Sequence, residues 1–160
     1  MSKDNKNLLK QEDGYIIPSH YMGNKYQTIE FLREFLNEKQ YCGFCAGLSI
    51  KYISRSNENN RVRNYTKAKY YLDECINYLN SKDTTVKTDQ NRITPDYYKK
   101  GNIEVIDMID DQFGTDMDLL IGFYSGVIIK YLFRFTHKHG LEDLEKAKYY
   151  LDRILTIIKK

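Results

Sequence analysis

Two sets of residues in this sequence have the types and spacing to hold an anion. Gly47, Lys51 and Arg55 fall at i, i+4 and i+8, and Gly126, Lys130 and Arg134 repeat that spacing. Residues four apart share one face of a helix, so each lysine points the same way as its arginine. Such a pair suits a phosphate, since arginine supplies a planar fork of donors and lysine a compact charge. The glycine one turn earlier leaves a gap where a phosphate or another backbone can approach. Tyr52 and Tyr131 adjoin the lysines, and a tyrosine ring can stack on a base. The competing reading is structural. Glycine in a buried helix often marks close packing, and cations near a helix C-terminus complement its dipole. Retention of both cations in both copies favours binding.

Other candidates are weaker. His20 and Tyr21 follow Pro18-Ser19, and serine and histidine in a rigid turn are phosphate-binding or acid–base groups. Asp96 and Tyr97 replace Ser19 and His20 in the second copy, so one unit alone could use that chemistry. Lys138, between His137 and His139, forms a basic loop that could close over an anion or simply be solvated. Glu104, Asp107 and Asp111, with Asp110 adjacent, could hold Mg²⁺ on a helix, but no second acidic helix accompanies them. A solvated acidic face is the better reading. Cys42-Gly-Phe-Cys45 has the form of a redox or metal motif. Ile121 and Tyr124 stand at the equivalent positions and no second ligand pair follows, so buried small hydrophobes are expected. No Gly-rich phosphate loop and no H-E-x-x-H helix occurs, so any phosphate must be held by side chains and helix ends.

The elements that position these residues come from a duplication. Ala68-Lys69-Tyr70-Tyr71-Leu72-Asp73 recurs as Ala147-Lys148-Tyr149-Tyr150-Leu151-Asp152, an offset of 79 residues. Fourteen of the thirty-one positions from 43 to 73 match at that offset, where chance gives about two. The segments opened by Pro18 and Pro95 correspond at an offset of 77. Each unit reads as three helices. The first carries Ile29, Leu32 and Leu36, or Ile106, Ile109 and Phe113, at helical spacing. The second spans about 41–55 and 120–134, almost uncharged until its last turns, and is expected to be the most buried. The third carries the repeated hexapeptide, with Asn64 and Asp143 as N-caps just before it. No stretch alternates long enough for a sheet. The fold expected is all-α, two pseudo-symmetric three-helix units packed as one body. The chain divides into a mobile polar arm (1–14), repeat 1 (15–79), a polar linker (80–94) and repeat 2 (95–160).

Composition narrows the partners. The formal charge of +3 is too mild to indicate nucleic-acid binding. No apolar run of membrane length and no signal-peptide pattern is present, so a soluble, intracellular protein without a membrane partner is expected. Fifteen tyrosines and no tryptophan suit stacking on bases, yet the same bias arises from AT-rich coding.

The order P-S-H-Y, F-x-x-G-x-x-I-K-Y-[IL]-x-R and D-L-x-K-A-x-[YW]-Y-L-D resembles a family of small phage early proteins. That family was long catalogued as of unknown function and includes the phage nucleotide kinase that lacks a Walker motif. The resemblance covers about residues 15–79 and 93–158. Repeat 1 matches at Pro18, Ser19, His20, Tyr21, Gly47, Lys51, Tyr52 and Arg55. Repeat 2 matches at Gly126, Lys130, Tyr131, Arg134, Lys138 and Asp143. Repeat 1 departs with Asn59 for the loop lysine and Asn64 for the aspartate, while repeat 2 lacks the Ser-His pair.

The resemblance implies a nucleotide ligand and a host-cytoplasmic location. The expected function is capture of a phosphorylated nucleotide in a Lys/Arg/Tyr pocket between the repeats. A sponge for a cyclic or ADP-ribose-like host immune signal is the favoured form. The alternative is a deoxynucleoside monophosphate kinase without a P-loop, with His20 assisting transfer and Mg²⁺ as cofactor. Otherwise no cofactor or metal is expected. A structural, protein-binding helical module is the third reading, and self-association is left open.

Overall fold

The computed structural model describes residues 27–82, 99–100 and 103–159. The expected arm (1–14), most of the linker, and Ser19, His20 and Tyr21 lie outside the described residues.

Among the described residues six helices carry the fold, three from each repeat. The first repeat contributes α1 (Thr28–Phe35), α2 (Glu38–Ser54) and α3 (Arg61–Lys82). The second contributes α4 (Val105–Phe113), α5 (Met117–Arg134) and α6 (Leu141–Ile158). A two-residue antiparallel pair, β1 (Lys99–Lys100) with β2 (Ile103–Glu104), precedes α4 and is the one departure from helix among the described elements. The all-α expectation holds, as does the duplication.

Local chemistry sets the helix starts. Asn37 caps α2, its side chain accepting from the Gln40 N–H while Gln40 reaches back, a reciprocal capping box. Asp116 caps α5 by accepting from the Asp118 and Leu119 N–H groups. Gly140 opens α6 at φ 52°, the left-handed side that glycine adopts without strain. Each second helix therefore begins three residues earlier than its apolar content indicates, and α3 runs on to Lys82.

Within each repeat the second and third helices pack along each other, α2 on α3 and α5 on α6. The repeats then meet mainly through α3 on α6. Ala68, Leu72 and Cys75 of α3, and Ala147, Leu151 and Ile154 of α6, are fully buried. The third helices, not the second, are thus the central elements. On α2, Gly43, Gly47 and Lys51 face outward, as Gly122, Gly126 and Lys130 do on α5. Counting apolar residues identifies a buried helix but not which partner buries it. The hexapeptide helix has two partners, its own second helix and its twin.

The meeting of α3 and α6 is reciprocal. Lys69 forms an ion pair with Asp152 at 2.7 Å, and Lys148 forms one with Asp73 at 2.8 Å. Since 69 faces 152 and 73 faces 148, the two helices run antiparallel where they cross. The two pairs exchange under the pseudo-two-fold axis that relates the repeats.

Candidate anion-binding clusters

The second helix of each repeat ends in an aromatic platform that carries cations. In the first repeat, Tyr52 stacks on Tyr71 of α3, centroids 5.7 Å apart and planes 7° from parallel. The Arg55 guanidinium lies 4.4 Å from the Tyr52 centroid and the Lys67 ammonium 5.5 Å from it. In the second repeat, Tyr131 stacks on Tyr150 at 6.0 Å and 15°. There Arg134, Lys130 and Lys146 lie 4.7, 4.6 and 6.0 Å from the Tyr131 centroid. Each cluster joins the end of a second helix to the start of a third within one repeat. Direct contact between the repeats is made mainly by α3 and α6 instead. The electron-rich ring faces attract the cations and hold them in place, each such contact contributing about 0.5–1 kcal/mol near the surface.

The glycines are open. A Cβ at Gly47 or Gly126 would meet nothing within 4 Å, and the same is true at Gly43 and Gly122. Close helix packing is therefore not the reason for them. Lys51 and Lys130 are exposed one turn further along. Lys138 is exposed in the turn after α5, with His137 and His139.

The arginines are held in place, and the residues expected as N-caps do the holding. Asn64 and Asp143 lie inside the first turn of α3 and α6 and are buried. Arg134 donates from Nε and Nη2 to the Asp143 Oδ1, at 2.9 and 2.7 Å. Arg55 donates from Nε to the Asn64 Oδ1 at 3.3 Å. The Asn64 amide then donates to the Arg55 carbonyl at 3.4 Å and to the Asn60 Oδ1 at 2.8 Å. Reading an Asx residue at a helix start as a cap is sound, but here the side chain turns inward to a guanidinium nine residues earlier.

That change from amide to carboxylate, together with Glu142 for Arg63 beside it, separates the clusters electrostatically. The second repeat has Glu142, Asp143 and Lys146 where the first has Arg63, Asn64 and Lys67. Lys146 pairs with Glu142 at 2.6 Å, and the hydrogen bond to Asp143 raises the Arg134 pKa. In the first repeat, burial and the neighbouring Arg55 and Arg63 hold Lys67 below the ordinary lysine value of 10.5. Among the described residues, no carboxylate pairs with Lys51, Arg55 or Lys67.

The acidic residues of α4 have a structural task. Asp107 and Asp110 both engage Arg153 of α6, and Tyr124 donates its hydroxyl proton to Asp110. The first repeat uses the corresponding positions with the signs exchanged: Arg33 of α1 pairs with Glu74 of α3, which also accepts from the Tyr41 hydroxyl at 3.1 Å. Applying the two offsets to charged residues, rather than to apolar ones, would have revealed this. No group of three metal-ligating side chains gathers among the described residues. Cys42, Cys45 and Cys75 are buried free thiols, and burial pushes Cys45 up to about 12, so it stays protonated and unreactive. No described helix is long and apolar enough to cross a membrane.

No curated protein and no solved structure matches the chain. Two segments, residues 17–73 and 93–152, each match one family, and together they span most of the sequence. They coincide with the two three-helix repeats. The chain therefore belongs to the family described as protein of unknown function (DUF3310) and carries its domain twice.

Proposed function

We propose that this protein binds a phosphorylated nucleotide through the cations gathered at the ends of its second helices. The observation that carries the reading is the gathering of cations over a tyrosine: Arg55 and Lys67 over Tyr52, with Lys51 one turn before Arg55, and Lys130, Arg134 and Lys146 over Tyr131. Convergent cations on a rigid platform match a phosphate or diphosphate. The exposed glycine one turn from the lysine keeps the approach clear. The phosphates rest on the end of a second helix rather than in the seam, because the crossed lysine–aspartate pairs occupy the seam. Tyr131 is only 8 % exposed and holds cations, so base stacking falls to groups other than that ring.

Sequestration of a phage host's signalling nucleotide is the form of binding we favour. It needs only affinity, which convergent cations can supply. Phosphoryl transfer without a P-loop is the alternative, and it would need His20. Incubation with a panel of mono-, di-, tri- and cyclic nucleotides, then heat denaturation and chromatography of the released ligand, separates the two. Intact ligand recovered in proportion to protein supports capture, and a new di- or triphosphate supports a kinase. If Lys51→Ala with Lys130→Ala leaves affinity for every nucleotide unchanged, the binding reading fails.

A further inference from the structure

The two clusters are equivalent in the fold and unequal in charge. In the second repeat the three cations share their neighbourhood with two carboxylates, Glu142 on Lys146 and the fully buried Asp143 on Arg134. An incoming phosphate there must compete with partners already bonded to the guanidinium at 2.7 and 2.9 Å. In the first repeat, Asn64 offers Arg55 one neutral acceptor at 3.3 Å and leaves its charge uncompensated. Burial first, and then the neighbouring Arg55 and Arg63, disfavour the proton on Lys67. Cations held together without a counter-charge raise the potential where an anion docks, and the anion relieves their repulsion.

We infer that the chain carries one phosphate site, in the first repeat at Lys51, Arg55 and Lys67, because the buried carboxylate that neutralises the second cluster is Asn64 there. This deepens the nucleotide reading above and rests on it for the nature of the ligand. The second cluster is then a structural copy that fastens α5 to α6. Asp143 is the element that closes it to anions. Repeat 1 also shows how an amide is satisfied at that position, through the carbonyl of the helix-end arginine and the side chain at 60. An amide at 143 would have the Arg134 carbonyl as the corresponding acceptor, with His139 standing where Asn60 does.

The test is calorimetric titration of the full chain with ADP and, separately, with inorganic pyrophosphate. One site per chain is expected. Asn64→Asp, which gives the first cluster the buried carboxylate of the second, is expected to weaken binding at least tenfold. Lys67→Gln, on the helix surface, is expected to do the same without touching the buried pair. Asp143→Asn is expected to add a second site. Two equal sites in the parent chain overturn the inference, as does full affinity in Asn64→Asp or Lys67→Gln. Absence of a second site in a folded Asp143→Asn also overturns it. Pyrophosphate binding with this pattern but no nucleotide binding sinks the nucleotide reading and leaves the asymmetry standing. Failure of both probes sinks both.

Discussion

Lys69 of the first repeat meets Asp152 of the second at 2.7 Å, across the crossing of α3 and α6. Its twin, Lys148 with Asp73, closes the same crossing from the other side at 2.8 Å. The hexapeptide that recurs at an offset of 79 residues contains both partners, because a self-complementary interface needs lysine and aspartate in each copy. The longest identical stretch in the chain thus serves the seam. It serves the cation clusters as well: Tyr71 and Tyr150 stack on Tyr52 and Tyr131, and Lys67 and Lys146, the matching residues just before the hexapeptide, lie over those rings.

The crossed pairs are part-exposed, so each contributes modestly and is screened by salt. Lys69→Ala and Lys148→Ala are each expected to lower the unfolding free energy by about 0.5–1 kcal/mol at low ionic strength. The loss should shrink in 1 M NaCl (about a 3 Å screening length), as read from urea unfolding curves. A loss that grows with salt would assign these lysines a packing role instead.

Arg33 and Glu74 carry a larger stake, since the Glu74 side chain is only 6 % exposed. Arg33→Asp sets two carboxylates against each other and is expected to cost about 3–4 kcal/mol. Adding Glu74→Arg recreates the polarity of Asp110 and Arg153. In that pair the arginine also donates to the Tyr124 hydroxyl at 3.1 Å. The double variant should recover at least half the loss in chemical denaturation. No recovery would mean that the polarity reversal is not interchangeable. The reversal also disfavours exchange of α1 and α4 between repeats, which would place like charges together.

Gly43 and Gly47 burden the exposed face of α2 with no packing return. Each substitution by alanine is expected to stabilise the fold by about 0.5–1 kcal/mol. Gly47→Ala should at the same time weaken ligand binding, because the methyl group sits one turn from Lys51. Thermal melting and titration of the same sample check both signs. Stabilisation without any loss of affinity would remove Gly47 from the site.

Lys67 gives the binding a pH signature. Its pKa in the free protein lies below 10.5, and a bound phosphate favours the charged form, raising it. Affinity should therefore be level at neutral pH and fall as pH rises through the depressed value, before an ordinary lysine titrates. Lys67→Arg should flatten that fall, since a guanidinium keeps its proton throughout the range. Titrations between neutral pH and 10.5 decide this, and an unchanged profile in Lys67→Arg would exclude Lys67 as the titrating group.

Duplication, helix content and the apolar stripes of α3 and α6 were legible because periodicity records burial directly. The pairings across elements were not. Asn64 and Asp143 look like caps in one dimension, and only the fold brings them onto arginines nine residues earlier. The second helices look central by composition, yet Gly43, Gly47 and Lys51 stay outside because the hexapeptide helix takes the middle. The cation clusters were legible in part: Lys51 with Arg55, and Lys130 with Arg134, follow from helical spacing. Lys67 and Lys146 come from the next helix and were missed as ligands, although both are kept at the 79-residue offset.

The most direct test sets two surface lysines, Lys51 and Lys130, against each other. Both are exposed, and both lie one turn after a glycine on the second helix of their repeat, so neither alanine variant should disturb the fold. Equilibrium binding of labelled ADP to Lys51→Ala should be weakened about tenfold or more, the loss of about 1.4 kcal/mol. Lys130→Ala should stay within about twofold of the parent, less than 0.5 kcal/mol. Equal losses in the two variants, or none in either, would contradict a phosphate site built on the first repeat alone.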